Sequence, residues 1–337
     1  MKRLFTHIFF TLCCCGSLLA ATPSAAGPAD DAPYGIFDLI ASEEFRQIEL
    51  HVNFDSLEVY RRSTDRLPAT ASIEGEEYAL NVTVRGRFRR TRCVVPPLML
   101  QFAKKGLKAR GLNTHNDLKL VTHCTDGKEG QDALLREQLT YELYNILNPG
   151  ASFRTHLLEV TYVNTADGST TTSYGIVIED TDQLRKRLGT KNCKDCYNLP
   201  TDQISNAGEI TLFQYMIGNS DFSLKNIRNA KILRDKETGE YLAVPYDFDF
   251  SGVVNAPYAT GFRHFQESHV TDRTLIWENA SGGFDAATYA PRFQEVRAEL
   301  FDHVEQFEGL AKKSKKEVRK YLQDFYDQLD ANTIGQS

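Results

Sequence analysis

The stretch from Ile210 to Gly252 constrains this chain more than any other, because an apolar helix, an acid, a hairpin and a second acidic cluster follow one another there. Ile210-Thr211-Leu212-Phe213-Gln214-Tyr215-Met216-Ile217 carries no charge and reads as a buried helix that delivers Gly218-Asn219-Ser220-Asp221 from a fixed platform. Ala230-Lys231-Ile232-Leu233 and Tyr241-Leu242-Ala243-Val244 read as short strands around the turn signal Asp235-Lys236-Glu237-Thr238-Gly239. Such a hairpin returns the chain to its start, so Asp247, 26 residues after Asp221, is expected beside it at one sheet edge. In Tyr246-Asp247-Phe248-Asp249-Phe250 the period-two alternation predicts both carboxylates on one face of a strand and three aromatics on the other. Either acid alone also fits a turn or the solvent face of an edge strand.

An acid, amides downstream of it and then a second acidic cluster form the order that phosphoryl transfer uses. One carboxylate serves the attacking hydroxyl, and the other oxygens hold the magnesium on the nucleotide phosphates. Two amides follow Asp221, namely Asn226 and Asn229. Spacing alone selects Asn226, because protein kinases place the amide five residues after the base.

At these residues the chain resembles the spore-coat CotH-like family of atypical secreted kinases. The likeness rests on Gly218-Asn219-Ser220-Asp221, on Arg228-Asn229-Ala230-Lys231 before a strand, and on Val244-Pro245-Tyr246-Asp247-Phe248-Asp249. Upstream it includes Val84-Arg85-Gly86, the helix Leu135-Arg136-Glu137-Gln138-Leu139-Thr140-Tyr141-Glu142-Leu143 and Tyr174-Gly175-Ile176-Val177-Ile178-Glu179-Asp180, so it spans roughly residues 78 to 260. The resemblance implies an α+β, two-lobed kinase-like fold that uses ATP with magnesium or manganese to phosphorylate protein Ser or Thr. It implies Asp221 as catalytic base, Asp247 and Asn229 as metal ligands, and Asp249 as an acid for a second metal or one that orients the first. Asn229 is preferred to Asn226 by that likeness, since it directly precedes the strand.

The chain departs from the family where a Pro-Lys-Lys block is usual. Val94-Val95-Pro96-Pro97-Leu98-Met99-Leu100-Gln101-Phe102 offers no lysine. A kinase needs a cation on the nucleotide phosphates, normally a strand lysine paired with a helix glutamate. Arg85, Lys104, Lys105 and Lys119 remain as candidates, with Glu137 as the glutamate. Lys119 leads because Leu118-Lys119-Leu120-Val121 alternates like a strand just before the helix that bears Glu137. As bland alternatives, Lys119 is a solvated strand lysine and Glu137 pairs with a surface cation. Without such a cation the chain reads as a catalytically silent pseudokinase-like interaction module; a transferase of another group from ATP, such as a nucleotidyl group, is a further alternative.

A net charge of −6 gives no case for general nucleic-acid binding, and 337 residues with 41% hydrophobic content suffice for a large core. Met1-Lys2-Arg3 followed by an apolar run to Leu19 and small residues near Ala21 or Ala26 reads as a signal peptide, which predicts a secreted or periplasmic protein without a stable membrane span. Cys15 offers a lipoprotein alternative. Cys93, Cys124, Cys193 and Cys196 then remain in an oxidising compartment, where the simplest pairing is Cys93 with Cys124 and Cys193 with Cys196; a four-thiolate zinc site is the alternative.

The expected organisation is a signal peptide over 1–26, a flexible lead over 27–45, a nucleotide-binding lobe over 46–179 and a catalytic lobe over 180–337. Alternating segments at Ile48–Val52, Leu80–Val84, Leu98–Phe102, Leu118–Val121 and Leu158–Tyr162 predict an antiparallel sheet in lobe one, with a helix over Ala133–Leu147. Asp180 is expected to cap the next helix at the hinge. Lobe two is expected to be mainly helical, ending in a helix with Val318, Leu322, Phe325 and Leu329 on one face and the lysine run 312–316 at its exposed start. The segment from Asn255 to Arg273 would lie over the substrate, with His264, His269 and Arg273 as surface or packing residues.

Overall fold

The computed structural model of the protein describes residues 33–42, 47–279 and 282–335, so the expected signal peptide lies outside the described residues, while of the expected flexible lead over 27–45 the described part, 33–42, buries Ile36, Phe37 and Ile40. Alternating burial shapes the first half. The strands β1 (Gln47–Val52), β2 (Leu67–Ile73), β3 (Glu76–Val84), β4 (Leu98–Phe102), β5 (Asp117–Thr122), β6 (Thr155–Asn164) and β7 (Thr170–Ile178) form a closed barrel in the order β1-β2-β3-β4-β5-β7-β6. Every neighbouring pair is antiparallel except β1 and β6, which run parallel from Gln47↔Glu159 to Val52↔Asn164. The expected antiparallel sheet is thus corrected to a barrel sealed by one parallel seam. Closure satisfies the N–H and C=O groups that two edge strands would expose, and local alternation says nothing about which distant strands meet there.

Leu50, Val82, Leu100, Leu118, Leu158 and Val160 fill the barrel and are fully buried. Gly175 on β7 points into this interior, where a Cβ would meet Leu120 Cδ1 at 2.9 Å and Val160 Cγ2 at 3.2 Å. The short helices α1 (Ile36–Ile40), α2 (Phe54–Val59), α3 (Arg89–Arg92) and α4 (Lys104–Ala109) connect or precede the strands, and Ile36, Phe37, Ile40, Leu57 and Leu107 join the barrel's core.

The long helix α5 (Gly127–Leu147) begins earlier than the predicted Ala133 and ends where predicted. It is buried on almost every side, as a helix inside a larger protein must be when apolar residues surround its axis. Leu139, Tyr144 and Leu147 join a second, larger core with Ile176 and Ile178 of β7, while Val177 of the same strand faces the barrel. Strand β7 is therefore a wall between two cores. The apolar packing of α5 runs with the C-terminal half, across the boundary expected at 179/180.

That half contains α6 (Thr181–Arg187), β8 (Thr190–Asn192), α7 (Ala207–Ile217), β9 (Ala230–Asp235), β10 (Tyr241–Pro245), α8 (Ala286–Gln306) and α9 (Lys312–Asp330). Asp180 caps α6 as expected, its Oδ1 accepting from Asp182 N–H at 2.6 Å. Helix α7 stops at Gly218, whose φ of +64° is the left-handed turn that glycine adopts freely. The predicted hairpin is β9–β10, with Lys231 opposite Val244 and Ala230 opposite Pro245, in a sheet ordered β10-β9-β8. Val318, Leu322, Phe325 and Leu329 are the buried face of α9, and Lys312 and Lys313 are exposed at its start.

Disulfides join Cys93 to Cys124 and Cys193 to Cys196, the pairing expected, so these thiolates are not zinc ligands. Among the described residues no helix is long and apolar enough to cross a membrane.

Candidate active site between the barrel and the acidic hairpin

The hairpin brings its two ends together through the backbone. Tyr246 N–H donates to Asn229 O at 3.0 Å, which places Asp247 next to the residue that touches Asp221. Asn229 Nδ2 donates to Asp221 O at 2.7 Å and to Asp221 Oδ2 at 3.1 Å. Its backbone carbonyl is thus used by Tyr246, and its side-chain oxygen is the atom that could face a cation. Asn226, the residue chosen by spacing, is exposed and folds back on Ser223 Oγ at 3.0 Å. An isolated bridge between Asn219 and Ser251 holds the Asp221 turn against the second acidic segment.

The strand predicted over Tyr246–Phe250 does not form. Strand β10 ends at Pro245, and Asp247 takes a φ of +68°, a left-handed conformation that costs a non-glycine residue about 1–3 kcal/mol. The three aromatics turn to different partners: Tyr246 packs on Phe153, Phe248 on Tyr141 and Phe213, and Phe250 on Phe88 and Phe262. Three separate anchors bend the backbone more strongly than a pleat would keep it straight. Tyr141 Oη accepts the Asp247 N–H at 2.8 Å and holds this bend.

Tyr141 lies one turn after Glu137 on α5, and both side chains face the acidic segment. Glu137, fully buried, pairs with Arg89 at 2.5 Å. Arg89 also donates to Asp249 Oδ2 at 2.8 Å, and Tyr258 Oη joins both, 2.7 Å from Arg89 Nη2 and 3.0 Å from Asp249 Oδ2. Burial works against the Arg89 charge, but Asp249 and Glu137 outweigh it and hold the guanidinium well above its ordinary pKa. The expected lysine–glutamate pair is corrected here: the partner of Glu137 is an arginine from α3. Residues 85–92 contain five arginines, and that run was the signal available in the sequence.

Lys119 is buried, at 7% exposure, and is no solvated strand lysine. Its Nζ donates to Thr181 Oγ1 at 3.0 Å and lies 4.9 Å from the Phe153 ring centroid. With Met99, Asp117, Asp180 and Thr181 it lines a cavity of about 300 Å³ beside the start of α6. Burial, then Arg85 and Lys231, lower its pKa to about 7. Lys231 is lowered too, by burial and by Arg85. Lys231 was not among the cations weighed from the sequence, although it sits in the conspicuous block Arg228-Asn229-Ala230-Lys231. Lys104 and Lys105, two that were weighed, are exposed on α4.

The acids show the opposite sign. Asp247 is pushed up by burial and by the Asp249 carboxylate, with Arg89 opposing. Asp221 is raised by burial, against Arg228 at 3.5 Å and the Asn229 hydrogen bond. One set of groups resists carrying negative charge and the other resists carrying positive charge, first because burial strips water from both and then because like charges lie beside them. The oxygens of Asp247, Asp249 Oδ1, whose Oδ2 is committed to Arg89, and the Asn229 amide are donors of the hard type that a divalent cation takes, while among the described residues no three acidic, His or Cys side chains gather closely enough to form a metal site by themselves. Arg85, Lys119 and Lys231 fit an anion of the phosphate type.

Over the site, Ser220 Oγ and the Phe262 N–H both donate to Glu267 Oε2 at 2.9 Å, fixing the 255–273 segment near Asp221. His264 and His269 are exposed, and Arg273 stacks 3.8 Å from the Tyr321 ring centroid while donating to the Tyr321 carbonyl, so it is a packing residue. Volume alone would select other places. Cavities of about 960 and 800 Å³ lie against α8 and α9, and neither is lined by Asp221, Asp247 or Lys119.

No family model matches this chain, and no curated protein does. Among solved structures, 17 chains match. One is the crystal structure of the Helicobacter pylori proinflammatory kinase CtkA, 12% identical, with a TM-score of 0.37, covering 70% of this chain and 90% of that one. A likeness at that level decides neither the fold nor the chemistry of this chain.

Proposed function

We propose that this protein is an ATP-dependent phosphotransferase that moves the γ-phosphoryl group to a Ser or Thr hydroxyl of a protein, on a two-lobed kinase-like fold whose first lobe is the barrel. The observation that carries this reading is the pair of opposed like-charge sets around the hairpin. Burial raises Asp247 and Asp249 adds to it, burial lowers Lys119 and Lys231 with Arg85 adding to both and Lys231 to Lys119, and a metal–nucleotide complex would supply opposite charge to each set.

Asp221 receives the proton of the acceptor hydroxyl. The acceptor oxygen bonds to the γ-phosphorus as the bond from that phosphorus to the β–γ bridging oxygen breaks, and the electron pair leaves with ADP. The raised pKa of Asp221 suits a proton acceptor that works near neutral pH. Lys119, Lys231 and Arg85 hold the phosphates, and Thr181 orients Lys119. Asp247 and Asn229, with Asp249 beside them, would hold magnesium or manganese, which supplies charge neutralisation at the β- and γ-phosphates. Glu137 acts through Arg89, keeping Asp249 in place.

One observation favours a second reading, a catalytically silent nucleotide-binding module. The glutamate on α5 pairs through Oε2 with Arg89 rather than with a lysine. Titration of ATP into the protein with magnesium or manganese, alongside transfer of radiolabel from γ-labelled ATP, separates the two. Metal-dependent binding with γ-label transfer, both lost in Asp247→Ala, is the expected result. Binding without transfer favours the silent module, transfer of α-label favours nucleotidyl transfer, and no metal-dependent binding refutes every ATP-based reading.

A further inference from the structure

The segment that supplies Arg89 carries more cations than the site uses. Residues 85–92 hold five arginines and no acid in a chain whose net charge is −6. Arg89 is spent on Glu137 and Asp249, and Arg90 on the carbonyls of Ser63 and Val84. Arg87 and Arg92 remain exposed, Arg92 lying 6.0 Å from the centroid of the Phe88 ring, and neither forms an ion pair with any described residue. Phe88 leaves 40% of its surface exposed and Val94 leaves 50%. Large apolar side chains exposed beside unpaired guanidiniums are the composition of an interface rather than of ordinary surface.

This ridge is rigid. Arg61 caps three of its carbonyls, those of Arg90, Cys93 and Val94, at 3.2, 2.7 and 2.8 Å. The Cys93–Cys124 disulfide pins one end, and Phe88 packs edge-on against Phe250 at 5.4 Å at the other. Its inner side therefore touches the acidic segment that begins at Asp247. Exposed on it are two guanidiniums and two apolar side chains, carried by a backbone whose ordering cost has been met in folding.

We infer that this ridge docks the acceptor, and that the acceptor is an acidic polypeptide, with Asp or Glu near its hydroxyl and an apolar side chain that covers Phe88 and Val94. The inference rests on the phosphotransferase reading for the word acceptor. Carboxylates match the guanidinium fork, and a predominantly acidic protein repels an acidic chain except at such a ridge, which orients the approach. Anionic lipid is the weaker occupant, because polybasic membrane segments use about four to eight cations and this ridge offers two.

The test is fluorescence anisotropy of two labelled peptides of equal length, each with one Ser and one Leu, one rich in Asp and Glu and the other in Lys. They are titrated with the full chain and with its R87E/R92E variant. The acidic peptide is expected to bind the parent, to weaken as salt rises, and to bind the variant at least about tenfold more weakly. The variant must keep its thermal melt and its binding of ATP with magnesium, which separates lost docking from lost folding. Equal binding of both peptides by the parent, or unchanged binding of the acidic one by the variant, overturns the inference. Charge-dependent binding to phosphatidylglycerol vesicles without peptide binding also overturns it. Acidic-peptide binding in a protein that does not bind ATP supports the acidic partner and refutes the phosphotransferase reading.

Discussion

Replacing Arg89 with Met removes the cation that is ion-paired with both Glu137 and Asp249 in a buried setting. Their side chains are 0% and 5% exposed, so water cannot take the place of the guanidinium. Breaking a buried pair by deleting one partner costs about 3–5 kcal/mol, because the remaining charge is left uncompensated. Here two carboxylates are left, and Glu137 already has Oε1 buried without a partner. The folded protein can relieve part of this by protonating Glu137. Glu137 is raised by burial even with Arg89 present, and the substitution raises it further. A carboxyl group whose folded pKa exceeds its unfolded one, about 4.3 for Glu, stabilises fully below the unfolded value and loses that stability as pH rises through the folded one. The deficit of Arg89→Met is therefore small near pH 5 and grows toward pH 8, at up to about 1.4 kcal/mol per unit for Glu137. Urea denaturation of both proteins at pH 5, 6.5 and 8 measures it, and the double variant R89M/E137Q should recover part of the loss. A deficit under about 1 kcal/mol at pH 8, or one that does not change with pH, refutes the buried-triad account.

Lys119 is lowered to about 7 against an unfolded value of about 10.4, so the unfolded chain binds the extra proton between those values and wild-type stability gains with rising pH across that window; Lys119→Met should flatten the gain in denaturation curves. If Lys119 holds phosphate, nucleotide binding at pH 8 takes up a proton, seen as a buffer-dependent calorimetric heat that Lys119→Met abolishes. Asp221→Asn is expected to keep metal-dependent nucleotide binding while label transfer falls by about 10²–10⁴. Gly175→Ala crowds Leu120 and Val160 inside the barrel and should cost about 1–3 kcal/mol in thermal or urea unfolding.

Local pattern carried much of the architecture. The apolar run before Gly218 is α7, the two short strands with their turn are β9 and β10, the alternating segments of the first half are barrel strands, and the spacing of Val318, Leu322, Phe325 and Leu329 is the inner face of α9. These follow from periods of 3.6 and 2, which neighbouring residues encode by themselves. The proximity of Asp221, Asn229 and Asp247 was legible for the same reason, since a tight hairpin ties residues on either side of it.

What the sequence left open depended on residues far apart. Closure of the barrel needs β1 to meet β6 across more than a hundred residues, and no local pattern selects that seam. The alternation at Tyr246–Phe250 looked like a strand, yet Phe153, Tyr141, Phe213 and Phe88, all distant in the chain, draw its aromatics apart and bend Asp247 out of the pleat. Electrostatic partnership was least visible of all. Arg89 and Lys119 are both basic residues upstream of Glu137, and only the packing of α3, β5 and α5 gives the glutamate to Arg89 and sends Lys119 to Thr181. The sequence determined which acids and amides a hairpin must gather; the tertiary structure decided which cations meet them, because charge pairing depends on burial and distance, and both arise only once the chain has closed.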